Sequence, residues 1–386
     1  MRIAVDATCW HNRRGYGRHA RALLRALVRL DSGNRYTLFL DSTEEAEPTP
    51  DDCEIRLLRA SVPTVQAASA AGRRSVPDMW RMSRALSDSD FDVLLFPTIY
   101  SYVPVLSRAR KLVMMHDVIA ETFPQLTVPR RAARIFWNTK VALGRMQANA
   151  LITVSDYSKK EILKRFGGDP RSVHVVGEAA DPTFRRLDHP CPTAPLRKLG
   201  LDGTRPMALY VGGFSPHKNL EALVRAFARI VKQPEFSDVL LVMVGDTSGD
   251  AFHTYYGTIA AAVENLKLQD KVVFTGFLAD EDLVVLLNMA RVLVLPSLME
   301  GFGLPAVEAA ACGCPVIATN ASPLEGLLGK GGLYIEPTED EIVRALNEVL
   351  SSGDLRARMT ENALRAAQRL TWEHAARQMM NVIEAS

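Results

Sequence analysis

Apolar residues gather along this chain in short, strand-length runs, and the stretches between them repeat with helical period. The runs predict strands at Ile3–Ala7, Tyr36–Asp41, Val93–Phe96, Leu112–His116, Leu151–Ser155 and Val173–Val176. A second set follows at Ala208–Gly212, Val239–Gly245, Val272–Thr275, Val292–Leu295, Val316–Ala318 and Leu333–Ile335. Between them lie amphipathic helices. Arg18–Leu30 puts Leu23, Leu27 and Leu30 on one face and Arg21, Arg25 and Arg29 on the other. Strand–helix alternation with few hairpin signals predicts βαβ units and parallel sheets, an α/β fold.

The pattern restarts near residue 207. The weakly patterned stretch 181–206 holds Pro182, Pro190, Pro192, Pro195 and Pro206 and reads as a linker. At 386 residues the chain suits two domains of about 100–200 residues each, expected over 1–190 and 191–386. Two open parallel sheets facing across a cleft would bind ligands at the carboxyl ends of their strands.

Composition narrows the class. With 47% hydrophobic and 23% charged residues, the chain is neither disordered nor fibrous. No charged start followed by an apolar stretch marks a signal peptide, and no run of about 18 apolar residues marks a membrane span. Five cysteines at irregular spacing argue against a disulfide framework. A reduced, cytoplasmic protein is expected. The formal charge of +2 hides a split: residues 1–190 carry 29 Lys and Arg against 21 Asp and Glu, and the rest carry 17 against 23. A basic half and an acidic half suggest different partners.

Candidate chemistry is densest in the acidic half. The segment from Pro296 reads PSLMEGFGLPAVE. It predicts a strand end, a turn at Gly301-Phe302-Gly303, and a helix with Pro305 at its first position. The N–H groups of Gly303 and Leu304 would then sit at a helix N-terminus, an anion site suited to phosphate. Glu308 lies one turn into that helix, where a carboxylate suits vicinal ribose hydroxyls, and Glu300 precedes the turn. A second segment, YVGGFSPHKNL from Tyr210, follows the first strand of its half. Gly212 and Gly213 allow close backbone approach, and Lys218 can reach a diphosphate.

These segments resemble those of the retaining glycosyltransferases of family 4, which have the GT-B architecture. The glutamate–seven residues–glutamate pattern of E-G-F-G-L-P-A-V-E carries the resemblance. So do G-Y-G-R-H-A-R-A-L-L after the first strand, M-H-D-V at 115–118, V-S-D-Y-S-K-K-E-I at 154–162, V-F-T-G-F-L at 273–278 and A-C-G-C-P-V-I-A at 311–318. The resemblance implies transfer of a hexose from a nucleotide-sugar, with the anomeric configuration retained. It implies a first, acceptor-side Rossmann-like domain and a second that binds the donor, with a last helix of about 366–386 crossing back. By position, Lys218 would hold the diphosphate, Glu308 the ribose and Glu300 the donor sugar. Phe302, Gly303 and Leu304 would place backbone donors, Phe277 would flank the base, His116 would line the sugar pocket, and Gly15 and Gly17 would form a loop closing on phosphate. Two departures stand out. Gly213 occupies a place where many members carry Arg, with His217 the nearby substitute, and Ala179-Ala180-Asp181 replaces G-V-D.

A glycan or lipid-linked acceptor is expected. P-H-K-N at 216–219 resembles the P-R-K-N of mannosyltransferases, which favours GDP-mannose, with UDP-hexoses next. No cofactor and no divalent metal are expected in the reaction. The D-x-D strings are Asp88-Ser89-Asp90, in a polar loop, and Asp280-Glu281-Asp282, which reads as an acidic helix start. The stretch 129–148 mixes Arg130, Arg131, Arg134, Lys140 and Arg145 with Ile135, Phe136 and Trp137. It is either a surface helix with its aromatics on the sheet or a peripheral contact with the inner membrane face. No nucleic-acid module is present. Gly15-Tyr16-Gly17-Arg18-His19-Ala20, with Asp41, keeps a dinucleotide oxidoreductase open as the alternative, and a nucleotide-sugar epimerase or an inactive binding module are others.

Overall fold

The computed structural model describes the whole chain except residues 13–14, 31–32, 43–47, 62–74, 88–89, 248–254 and 386. It divides into two compact units, Met1–Glu178 with Thr371–Ser386, and Ala179–Leu370.

Among the described residues, the first unit holds a seven-stranded sheet. Its strands are β1 (Arg2–Asp6), β2 (Arg35–Leu40), β3 (Cys53–Leu57), β4 (Val93–Phe96), β5 (Arg110–Met114), β6 (Ala150–Thr153) and β7 (Val173–Val175), in the order β3-β2-β1-β4-β5-β6-β7. The second unit holds a six-stranded sheet of β8 (Met207–Val211), β9 (Leu240–Val244), β10 (Val272–Gly276), β11 (Val292–Leu295), β12 (Val316–Thr319) and β13 (Gly332–Ile335), in the order β10-β9-β8-β11-β12-β13. Every pairing is parallel. The central strands β4, β9, β11 and β12 are buried along their whole length, which is why they read as unbroken apolar runs.

Each sheet reverses its winding direction between its first and its fourth strand. The loops after β1 and β4, and those after β8 and β11, therefore open side by side at the carboxyl edge of their own sheet. That switch point is where such sheets bind ligands.

The stretch expected as a linker packs as part of the second unit. Phe184, Leu196 and Leu201 are buried there. The Asn288 side chain accepts from Leu187 N at 2.8 Å and donates to Arg185 O at 2.9 Å. The unit boundary thus falls at 178/179 rather than at 190/191, because these contacts tie the proline-rich segment down. At the other end, the helix Trp372–Ala385 lies in the first unit, against the helix Gly15–Leu30. Gln378 Oε1 accepts from Gly177 N at 2.9 Å, and Arg110 Nη2 donates to Ile383 O at 2.8 Å.

The helix Gly15–Leu30 corrects the expected faces. Leu23 and Leu27 are buried but Leu30 is exposed, while Arg21 is buried. The Arg21 guanidinium donates to Trp10 O and, at 2.7 Å, to Asn12 O. It holds the loop after β1 instead of facing solvent.

Candidate functional site

In the second unit, the loop after β8 turns sharply at Gly212, whose φ is +152°. A Cβ there would stand 2.7 Å from the Tyr210 hydroxyl, which itself donates to Gly213 O at 2.6 Å. The loop continues into a 3-10 turn, Pro216–Lys218, and Asn219 then takes the left-handed conformation at φ 56°. Its amide donates to Pro296 O at 3.1 Å and Pro337 O at 2.7 Å. Leu298 N donates to His217 O at 2.9 Å. These bonds lock the β8 loop against the β11 loop.

That lock brings Lys218 and Glu300 together. Lys218 Nζ donates to Glu300 Oε1 at 2.7 Å, and Ser297 Oγ donates to the same oxygen at 2.6 Å. Glu300 is 8% exposed. Burial alone would raise its pKa, but the Lys218 charge and hydrogen bond, the Ser297 hydroxyl and His217 outweigh it, so the carboxyl is held below its usual value. His217 goes the other way. Burial first, then the neighbouring Lys218 charge, lower it to about 3. Its imidazole is neutral near pH 7 and adds no positive charge to replace the Arg missing at Gly213.

Gly303, at φ 86° and ψ 46°, caps the helix Leu304–Ala311, with Pro305 in the first turn. A Cβ on Gly303 would stand 2.9 Å from Leu324 Cδ1, so both its backbone conformation and its packing call for glycine. Phe302 and Glu308 are buried beside this turn. Phe277, just after β10, is 57% exposed.

In the first unit, His116 follows β5. Its Nε2 lies 2.9 Å from Pro97 O, a contact that fits an N–H donating to the carbonyl. Burial, then the adjacent His19, lower its pKa to about 4 against the opposing pull of Glu178. Gly15 and Gly17 lie in the first turn of the helix Gly15–Leu30, where a loop was expected. Gly17 is packed so closely that a Cβ would stand 2.1 Å from Asn12 O. Residues 7–14 intervene between β1 and this helix, whereas a dinucleotide fingerprint needs the turn tight against the strand.

The basic stretch forms the helix Arg131–Gln147, of which only Val141 and Gly144 are buried. Trp137 packs inward, its Nε1 donating to Glu121 Oε1 at 2.7 Å and its ring 4.9 Å from that of Tyr100. Ile135 (68%), Phe136 (49%) and Met146 (79%) remain exposed. The aromatics therefore divide between the two orientations weighed from sequence. Of the D-x-D strings, Asp280–Asp282 opens the helix Asp280–Met289, and Asp88-Ser89 lies outside the described residues.

The structure thus joins Lys218 to Glu300 in one hydrogen-bonded group and sets Gly303 and Leu304 at a helix start. Gly212 and Gly213 lie in the loop that carries Lys218. His116, Gly15 and Gly17 belong to the first unit. Sequence reading missed Ser297, Asn219, His19 and Glu178. The strained Asn219 next to Lys218 and a His inside G-Y-G-R-H were the available signals.

Two family models match the chain: Glycosyltransferase Family 4 over residues 13–184 and Glycosyl transferases group 1 over residues 195–366. The D-inositol 3-phosphate glycosyltransferase of Rhodococcus jostii is 31% identical over 279 residues, covering 71% of this chain and 59% of the relative. The O-antigen chain mannosyltransferase B of Escherichia coli is 28% identical over 279 residues, covering 70% of this chain and 69% of the relative. The match thus spans about three-fifths of the inositol phosphate enzyme's length. Among solved structures, the sucrose-phosphate synthase of Thermosynechococcus elongatus aligns with a TM-score of 0.78 at 21% identity, over 100% of this chain and 98% of that one. Anabaena HepE, solved with UDP and glucose, aligns at 0.73 and 18% identity, over 100% of both chains. At these identities the structures speak for the fold, two parallel-sheet α/β domains of the GT-B class.

Proposed function

Because the chain belongs to the family 4 glycosyltransferases, we propose that it moves a hexose from a nucleotide-sugar to an acceptor hydroxyl, with the anomeric configuration retained. The observation that carries this reading is the Lys218–Ser297–Glu300 group beside the Gly303 helix start. An ammonium has three protons, and Glu300 takes one, so Lys218 can hold a diphosphate while still anchored. The Gly303 and Leu304 N–H groups add fixed donors for the charge that develops on the leaving nucleoside diphosphate. Glu308 holds the ribose and the exposed Phe277 stacks on the base. Glu300, kept ionised by its partners, accepts from donor-sugar hydroxyls.

Cleavage passes through an oxocarbenium-like state. The bond from the anomeric carbon to the leaving phosphate oxygen breaks as the acceptor oxygen bonds to the same face. The departing phosphate oxygen takes the acceptor's proton, so no protein nucleophile is needed. Lys218 and the helix start stabilise the leaving charge without a divalent metal. His116, neutral and fixed by Pro97 O, orients a sugar hydroxyl. Isolation of a covalent glycosyl–enzyme adduct would contradict this route.

GDP-mannose is the first donor to test. P-H-K-N at 216–219 favours it, and so does the likeness to an O-antigen mannosyltransferase. UDP-glucose follows, since HepE has been solved with it. The acceptor is a glycan or lipid-linked sugar, met by the basic first unit. The exposed Ile135, Phe136 and Met146, on the helix that Arg130 and Arg131 open, support a peripheral contact with anionic lipid. Among the described residues no helix is long and apolar enough to cross a membrane.

The test is a thermal-shift screen of nucleotide-sugars followed by transfer to simple glycoside acceptors. A ligand bound only by the native state raises the melting temperature. A shift with GDP-mannose or a UDP-hexose, and a product of retained anomeric configuration, support the reading. An inverted product, or no shift with any nucleotide-sugar, would overturn it.

A further inference from the structure

Tyr16, Tyr100 and Trp137 form an aromatic row in the first unit that the transfer chemistry leaves unused. Tyr16 opens the helix that follows β1, Tyr100 lies in the loop after β4, and Trp137 comes from the helix Arg131–Gln147. The loops after β1 and β4 flank the switch point of the first sheet, where such sheets bind ligands. The Tyr16 and Tyr100 rings stack 5.4 Å apart at 25°, and Tyr100 meets Trp137 at 4.9 Å. All three are half-buried, so each keeps part of its surface towards solvent.

The row is fixed in place and bordered by carboxylates. The Asn12 amide donates to the Tyr16 hydroxyl at 2.5 Å, and Trp137 Nε1 donates to Glu121 Oε1 at 2.7 Å. Lys140 Nζ donates to Tyr100 O at 2.8 Å and lies 5.2 Å from the centre of the Trp137 ring. Rings held in this way lose little freedom when a ligand settles on them. Asp117, half-buried after β5, accepts from Ile119 N at 2.8 Å through Oδ1. Burial first, then Asp117 and Glu121, raise the pKa of the Tyr100 phenol. Negative charge therefore bears on the row, although residues 1–190 are basic as a whole.

We propose that Tyr16, Tyr100 and Trp137 form the acceptor subsite, and that the acceptor ring held there is an uncharged pyranose. The proposal rests on the transferase reading and names its acceptor class. An aromatic face carries the negative part of the ring quadrupole, which attracts the C–H groups that a pyranose presents on one side. An ionised carboxylate only accepts hydrogen bonds, and Asp117 at the border takes them from the sugar hydroxyls. An aromatic wall with a few placed polar groups is the usual make-up of a small-ligand site. A phosphorylated or acidic sugar would meet the same carboxylates and be repelled.

The test is saturation-transfer NMR on the full chain with the methyl glycosides of mannose, glucose and galactose, each beside its 6-phosphate. Saturable binding of at least one neutral glycoside is expected, with transfer strongest to the C–H protons of one ring face and weaker binding of its 6-phosphate. Tyr100→Ala and Trp137→Ala should each weaken binding roughly 3- to 10-fold, the scale of a lost aromatic contact. Tyr100→Phe, which keeps the ring, should bind as the parent does, and so should Trp80→Ala, which removes an aromatic outside the row. Asp117→Asn should narrow the gap between glycoside and 6-phosphate. Circular dichroism checks that the variants fold, and should Tyr100→Ala or Trp137→Ala unfold, Tyr16→Ala decides. No saturable binding of any neutral glycoside, a 6-phosphate bound as tightly as its parent glycoside, parent affinity in the folded ring-deleting variants, or an unchanged gap in Asp117→Asn would overturn the proposal. Titration of GDP and UDP into the same samples separates the two readings. Nucleotide binding without glycoside binding overturns the acceptor subsite alone, and glycoside binding at the row without either nucleotide overturns the transferase reading.

Discussion

The two units share one strand order but carry opposite electrostatics at their strand ends. In the second, Lys218 and Glu300 are both charged, held 2.7 Å apart and braced by Ser297. In the first, burial keeps His116 neutral, with a pKa near 4, and His19 sits fully enclosed beside Glu178. A parallel sheet supplies the same shelf twice, and the loops decide what is built on it. A paired ammonium beside a helix N-terminus is ready for an anionic leaving group. A neutral imidazole suits lone-pair chemistry.

The largest effect expected is on turnover. Lys218→Ala should cut sugar transfer by roughly 100-fold or more, the size of losing one preorganised charge-stabilising donor. It also leaves Glu300 buried without its partner, so a melting curve should accompany the assay. The double variant Lys218→Ala/Glu300→Gln should recover stability but not activity. Recovery of activity would place the leaving-group charge elsewhere.

Gly303→Val comes next. It forces a branched residue into positive φ against Leu324, at a cost of about 1–3 kcal/mol, and should lower the melting temperature by several degrees. An unchanged melting temperature would show that the turn can move.

The pH dependence separates two titrating groups of the first unit. His116 has a folded pKa near 4 against about 6.5 unfolded. Its contribution to stability is complete above 6.5 and is lost as pH falls towards 4. Glu121 opposes it. Burial first, with Asp117 adding to it and the Trp137 hydrogen bond opposing, raises that carboxyl to about 7. Its protonation stabilises the native state as pH falls from 7 towards the ordinary carboxyl range. Chemical denaturation between pH 4 and 8 should therefore show His116→Asn losing less stability on acidification than the parent, and Glu121→Gln losing more. Parallel curves would refute both shifts.

The smallest effects concern the nucleoside. Glu308→Gln should weaken nucleotide binding about tenfold, the scale of a charged hydrogen bond. Phe277→Ser should weaken it only a few-fold, because an exposed aromatic loses little when it stacks.

Much of this was legible in the sequence. The buried strands read directly, because a strand covered on both faces is an unbroken apolar run. β3 did not read. It is an edge strand with every position exposed or half-buried, so it has no apolar signature. Arg21 misled for a related reason: periodicity assigns charge to the solvent face, and only the fold reveals the two carbonyls that draw its guanidinium inward. Gly303 and Lys218 were visible because each follows a strand end within a few residues. The His19–His116–Glu178 group was not, since its members come from distant sequence positions brought together by the parallel crossovers, and Ser297 was missed although its partner Glu300 lies only three residues on.

The central claim is that the second unit binds a nucleoside diphosphate through Lys218 and the Gly303 helix start. Isothermal titration of GDP and UDP into the full chain tests it most directly. The account predicts saturable binding of one of the two, weakened at least about tenfold in folded Lys218→Ala, the scale of a lost charge-assisted contact. Equal affinity in the parent and the variant, or no binding of either nucleotide, would contradict it.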